Sequence, residues 1–182
     1  AAGIIPAALE MMDQLIIRAV EEAYHFGFPL DAGAILIVEL DGLSGGVEDQ
    51  GQIVETICKQ NEAREVRVAK DEEERAAIWK CRKRAFGAVG RISPNYLTQD
   101  GVVPRSKVPQ IMRFIKATSE KYNLRIPNVF HAGDGNIHPL ILFDERKDGE
   151  VKQALRAGED ILNKCIEMGG SVSGEHGIGA EK

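Results

Sequence analysis

Residues 129–143 read VFHAGDGNIHPLILF, two apolar runs on either side of Asp134-Gly135. Asp-Gly between apolar runs signals a hairpin, because both central positions of the favoured two-residue turn take positive φ. A hairpin commits this part of the chain to antiparallel pairing, and the turn sets the register. Gly133 then pairs with Asn136, Ala132 pairs with Ile137, and His131 lies directly opposite His138. Asp134 and Asn136 are expected to stiffen the turn through side-chain to backbone hydrogen bonds.

The rest of the chain alternates between the helical and the extended period. Residues 6–25 place Leu9, Met12, Leu15, Ile16, Ala19 and Tyr24 at spacings of about three and four, which predicts one amphipathic helix. AILIVELDG, from residue 34, reads as a buried strand. Residues 46–62 return to helical period, and EVRVA at 65–69 alternates as a strand. Residues 70–91 begin with acids and end with bases, as the helix dipole favours. YLTQDGVVP at 96–104 is extended, Lys107 to Tyr122 is helical, and Asp148 to Met168 forms a last helix stopped by Gly169-Gly170. Helices between strands, together with a hairpin, predict one α+β domain over residues 1–182. The expected arrangement is a ferredoxin-like split, an antiparallel sheet with helices packed on it.

Bulk properties exclude several functions. A formal charge of -5 with interspersed acids and bases provides no basic stripe for nucleic acid. Three cysteines, Cys58, Cys81 and Cys165, are odd in number and far apart, which suits reduced thiols packed in a core. No apolar run reaches the roughly 18–20 residues that span a bilayer, so no transmembrane segment is expected. The start lacks a basic stretch before its apolar part, so no signal peptide is expected either. These features predict a cytoplasmic protein.

The chemistry concentrates in two short runs, HAGDGNIH at 131–138 and SGEHGIG at 173–179, which hold three of the four histidines. Opposed residues of a hairpin share a face with Cβ atoms about 4.5–5.5 Å apart. His131 and His138 so placed can converge on one divalent ion at about 2.0–2.1 Å each. Glycines around Glu175-His176 predict an irregular loop beside a ligand. Neighbouring side chains in an extended segment point opposite ways, so one of the pair can complete a metal shell while the other faces a substrate. A solvated Glu-His pair is the plainer reading of that loop. His25, in AYHFGF at the end of the first helix, reads as a cap or surface residue, and DEEER at 71–75 as a solvated helix start.

HAGDGNIHPLILF followed by GGSVSGEHGIGAEK resembles the C-terminal, substrate- and metal-binding region of FAD-linked 2-hydroxy-acid oxidoreductases. IPAALEMMD, LDAGAILIVELDG and AIWKCRKRAFGAVGRISPNYLTQDGVVPR extend the likeness over nearly the whole chain, toward the glycolate oxidase GlcD and D-lactate dehydrogenase branch. The resemblance implies a fragment of a longer flavoenzyme, inactive alone, whose FAD is bound mainly by a separate domain of the same full-length chain. It implies that His131, His138 and Glu175 bind a divalent metal (Zn, Fe or Mn), that His176 is the catalytic base, and that Arg82 holds the substrate carboxylate. Other oxidase subunits are implied partners, through which the protein would lie peripheral to the inner membrane.

Members that handle a longer dicarboxylate carry a polar residue where this chain has Phe86 and a lysine where it has Thr98, which implies a small substrate such as glycolate or lactate. The implied reaction has the metal chelate the hydroxy acid while the histidine removes the hydroxyl proton and hydride passes to FAD. An imidazole, with an ordinary pKa near 6.5, suits that proton transfer near neutral pH. Within the residues alone, two other classes remain open. His/His/Glu with a nearby histidine also suits a zinc-dependent hydrolase, and the chain can equally be a non-catalytic ferredoxin-like binding module.

Overall fold

The structure, a computed structural model, describes residues 3–179. Along them run β1 (Ala8–Asp13), α1 (Gln14–Tyr24), β2 (Ala34–Glu39), α2 (Ser44–Gln60), α3 (Glu72–Val89), β3 (Asn95–Thr98) and β4 (Gly101–Val102). After a 3-10 turn come α4 (Val108–Tyr122), β5 (Val129–His131), β6 (Asn136–Ile137), β7 (Leu140–Phe143) and α5 (Glu150–Glu167). Every paired strand is antiparallel, in a five-stranded sheet ordered β2-β1-β5-β6-β4 and a two-stranded one, β3-β7. The two are stitched together where Leu140 and Leu142 donate backbone N–H bonds to Pro127 and Arg125. This is the α+β, antiparallel architecture that the sequence predicts.

Residues 6–25 are corrected. Their first half is β1, a strand, although Ala, Leu, Glu and Met are good helix formers. The reason is pairing on both sides: Glu10 sits opposite Ile37 of β2 and opposite His131 of β5. Ladder bonds to two neighbours outweigh propensities that differ by well under about 1 kcal/mol per residue. The chain turns helical at Asp13, whose Oδ1 accepts from the Ile16 N–H at 3.0 Å and caps α1. Its Oδ2 accepts from the backbone N–H and the side-chain amide of Asn128, at 2.7 and 2.9 Å. One carboxylate thus starts α1 and ties it to the segment leading into β5.

EVRVA at 65–69 is not a strand. It has no neighbour to pair with, and Val68 is 66% exposed. Side chains hold the stretch instead, through an Arg64–Asp31 ion pair at 2.8 Å and an Arg67 bond to the Gly27 carbonyl.

Alternation along the strands divides the core between two faces. Met12, Val129, Leu140 and Leu142 pack with Ile16, Ile17 and Val20 of α1 and with Cys81, Ala85 and Val89 of α3. Phe130, Ile141 and Leu97 pack the other way, against Ile111 and Ile115 of α4 and Ala157 and Ile161 of α5. Helices therefore cover both faces of the sheet, with each large side chain so buried contributing about 1.5–3 kcal/mol. Strand parity already aims the site. Glu10 shares the strand parity of Met12 and His131 that of Val129, so both face the α1/α3 side. Among the described residues no helix is long and apolar enough to cross a membrane.

Two cysteines lie in these cores. Burial, and then the charge of Glu21, pushes the Cys81 thiol up to about 12, and burial pushes Cys165 up to about 11. Only thiolates react readily. Ellman's reagent at pH 8 is therefore expected to label one thiol in the folded chain, the half-buried Cys58, and all three in denaturant. Rapid labelling of two or more thiols in the native state would contradict this packing.

Candidate active site

The hairpin forms, but not in the expected register. His131 pairs with Asn136 rather than His138. The loop is four residues, 132–135, in which the N–H groups of Asp134 and Gly135 both donate to the His131 carbonyl. Among them only Gly135 has positive φ, 74°. Glycine is also required there because the chain just after β4 crosses close by: the Val103 N–H donates to the Gly135 carbonyl, and a Cβ on Gly135 would run into the Val103 carbonyl. The Asn136 amide does not stiffen the turn. It donates to Glu175 Oε1 at 2.9 Å.

Despite the shifted register, the two histidines meet. Their ring centroids lie 5.2 Å apart at 88°. His131 Nε2 is 3.0 Å and His138 Nε2 is 3.1 Å from the same oxygen, Glu175 Oε1. His176 stacks on His138, with centroids 5.0 Å apart and planes 3° from parallel. Arg82, on α3, completes the set predicted from sequence. All five border one cleft of about 300 Å³, with Glu10, Trp79, Lys83 and Phe86 on its walls. Trp79, Arg82, Lys83 and Phe86 recur at helical spacings of three and four, so one stripe of α3 forms a wall. Thr98 is not a wall residue; it lies in β3 opposite Leu140. His25 lies outside the cleft too, ending α1 in the left-handed region with its N–H bonded to the Glu21 carbonyl, a cap as expected.

Two residues escaped the sequence reading. Glu10, 6% exposed, bridges two members of the site: its Oε1 is 2.6 Å from His131 Nδ1, and its Oε2 accepts from Arg82 Nε and Nη2 at 2.8 Å each. Reading 6–25 as a helix hid it. The second is Asp100, fully buried, just before β4. Its carboxylate accepts from the Ser173 hydroxyl and from the N–H groups of Gly174, Glu175 and His176, at 2.8–3.1 Å to Oδ2. Burial opposes its charge, but the His176 and Glu175 N–H groups, the Ser173 hydroxyl and the Gly174 N–H hold the carboxyl well below the usual range. Asp100 therefore stays ionised and folds the glycine-rich loop over the hairpin. Burial, followed by the neighbouring His131, also pushes the His138 imidazole below its ordinary value, which favours its neutral form.

The donor set suits a divalent cation. Ligand atoms at about 2.0–2.2 Å in a tetrahedral shell lie about 3.3–3.5 Å from one another. The separations of 3.0 and 3.1 Å between the two Nε2 atoms and Glu175 Oε1 are close to that. Metal-binding histidines commonly donate their other nitrogen to a carboxylate, and His131 Nδ1 lies 2.6 Å from Glu10 Oε1. Asp100, His138, Glu175 and His176 also bring donor atoms within 4.8 Å of one another. Asp100 is the poorer ligand of the two sets, since four protein donors already surround it.

The whole of residues 1–182 matches the model of the FAD linked oxidases, C-terminal domain. The chain belongs to that family. It is 53% identical over 180 residues to the glycolate oxidase subunit GlcD of Escherichia coli (strain K12), covering 99% of this chain and 36% of that protein. GlcD of Bacillus subtilis (strain 168) is 38% identical over 182 residues, covering 100% of this chain and 39% of that protein. The probable mitochondrial D-lactate dehydrogenase of Danio rerio is 33% identical over 184 residues, covering 100% and 36%. The chain thus spans little more than a third of the length of these relatives. Among solved structures, 4-ethylphenol oxidase from Gulosibacter chungangensis, in its isoeugenol complex, matches with a TM-score of 0.61 at 14% identity. That match covers 91% of this chain and 38% of that one, and shows the common fold.

Proposed function

We propose that this chain is the substrate- and metal-binding domain of an FAD-dependent 2-hydroxy-acid dehydrogenase or oxidase of the glycolate or D-lactate type. The observation that carries this reading is the approach of His131 Nε2 and His138 Nε2 to one oxygen of Glu175, beside Arg82, in a single cleft. The relatives, a glycolate oxidase subunit in two bacteria and a probable D-lactate dehydrogenase, support the reaction class. FAD, held mainly by another domain of the full-length protein, supplies the electron acceptor. His131, His138 and Glu175 would hold a divalent cation (zinc, iron or manganese), which would supply Lewis-acid chemistry beside the substrate.

The protein's own residues do the rest. Arg82 presents guanidinium N–H groups to the substrate carboxylate, a planar match that lysine lacks. Phe86 and Trp79 give the cleft apolar surface and exclude water from part of it. With Phe86 on the wall and about 300 Å³ of space, at the small end of ligand sites, glycolate or lactate fits better than a long dicarboxylate. His176, held against His138 by stacking and by its N–H bond to Asp100, accepts the hydroxyl proton at an imidazole nitrogen. Other oxidase subunits and a peripheral place at the inner membrane belong to the same reading.

Elemental analysis of the purified chain after loading with zinc or manganese and dialysis is the test. About one ion per chain is expected, falling to background in a His131→Ala/His138→Ala variant. Glycolate or D-lactate should then bind the loaded wild type and bind at least about tenfold more weakly to Arg82→Lys, because a lysine ammonium loses the bidentate contact. Metal retained by the double variant would sink the ligand assignment.

A further inference from the structure

Glu10 stands apart from the residues that would touch metal or substrate, yet it contacts one of each. We infer that Glu10 is a positioning residue that sets the tautomer of His131 and so its fitness as a ligand, an inference that rests on the metal-binding reading above. Its two oxygens serve two donors. Oε1 lies 2.6 Å from His131 Nδ1, and Oε2 accepts from Arg82 Nε and Nη2 at 2.8 Å each. With the proton drawn to Nδ1 by the carboxylate, the Nε2 lone pair is left facing Glu175 Oε1 and the cleft.

The geometry leaves little freedom. Glu10 and His131 are directly opposed in the β1–β5 ladder, Glu10 is 6% exposed, and the Arg82 guanidinium closes its far side at 7% exposure. A glutamine of the same shape has only one acceptor oxygen for these two donors. If its carbonyl goes to Arg82, its NH2 meets His131 Nδ1 and drives the proton to Nε2, which blocks the ligand position. If it goes to His131, the NH2 is turned against a buried guanidinium, which costs more. Glu10 thus links the cation that reads the substrate carboxylate to the imidazole that holds the metal.

The experiment measures zinc affinity in the full 182-residue chain by competition with a chromogenic chelator. Glu10→Gln should weaken zinc about 10–100-fold, the range seen when partners of ligating histidines are removed. In the zinc-loaded wild type, nitrogen-detected NMR should show a hydrogen-bonded Nδ1–H on His131, and Glu10→Gln should lack it. Because an uncompensated Arg82 can unfold that variant, the deciding pair is built on Arg82→Met, where no buried cation is left over. There Glu10→Gln should keep zinc affinity within about threefold of Arg82→Met alone, since its one acceptor is free for His131, whereas Glu10→Leu should lose about 10–100-fold.

Equal affinities for the glutamine and leucine variants in that background would overturn the inference while leaving the His131, His138 and Glu175 ligand set standing. Failure of the wild-type chain to bind zinc would overturn both.

Discussion

Asp100→Ala is expected to lower metal affinity by at least about 100-fold while leaving the helical content measured by circular dichroism nearly unchanged. The buried carboxylate is the anchor for residues 173–177, accepting from the Ser173 hydroxyl and three successive backbone N–H groups. Hydrogen bonds to a charged group contribute about 1.5–3 kcal/mol each, far more than the glycine-rich loop can recover elsewhere. Loss of the anchor frees Glu175, one of three proposed ligands, and takes His176 off the face of His138. Asp100→Asn keeps the volume but replaces one oxygen by a donor group facing donors, so it should fall between wild type and alanine. Zinc titration by calorimetry reads both variants. An alanine variant that binds zinc as tightly as wild type would show that the loop holds its place without Asp100.

Phe130→Ala should destabilise the fold by about 3–5 kcal/mol, read as a lowered urea midpoint with an unchanged slope. Phe130 is fully buried in the core formed with Ile111, Ile115, Ile141 and Ile161, and truncation leaves a cavity between the sheet and α4/α5. Its strand carries His131, the next residue, on the opposite face. Thermal stability and metal retention are therefore expected to fall together. Val68→Ala, at a side chain 66% exposed, serves as the comparison and should stay within about 0.5 kcal/mol. A loss under 1 kcal/mol for Phe130→Ala would contradict the packing between the sheet and these helices.

Much of the fold was legible because its signals are local. The boundaries of α3, α4 and α5 lie within a few residues of those read from periodicity, and Gly169 with φ 78° follows the last helix as a stop signal should. β1 and residues 65–69 were not legible, because a strand exists only where another strand receives it. β1 has two such partners and is extended in spite of its helix-forming residues. EVRVA has the right alternation and no partner.

The site divides along the same line. The sequence by itself determined which chemistry the chain carries: the paired histidine motifs, the Glu-His loop and the arginine of α3 are covalent facts, and the structure gathers all of them into one cleft. Tertiary structure alone decided how they meet. The hairpin register differs from the one its Asp-Gly suggested: β4 pairs with β6, and Val103 just after it packs on the turn and holds Gly135. The histidines converge through their reach to Glu175 rather than by direct opposition. Glu10 and Asp100 join the site from positions 121 and 75 residues away in sequence from the groups they hold. No local pattern marks a carboxylate whose partners are that distant; its role appears only when the chain folds and its charge must be balanced out of water.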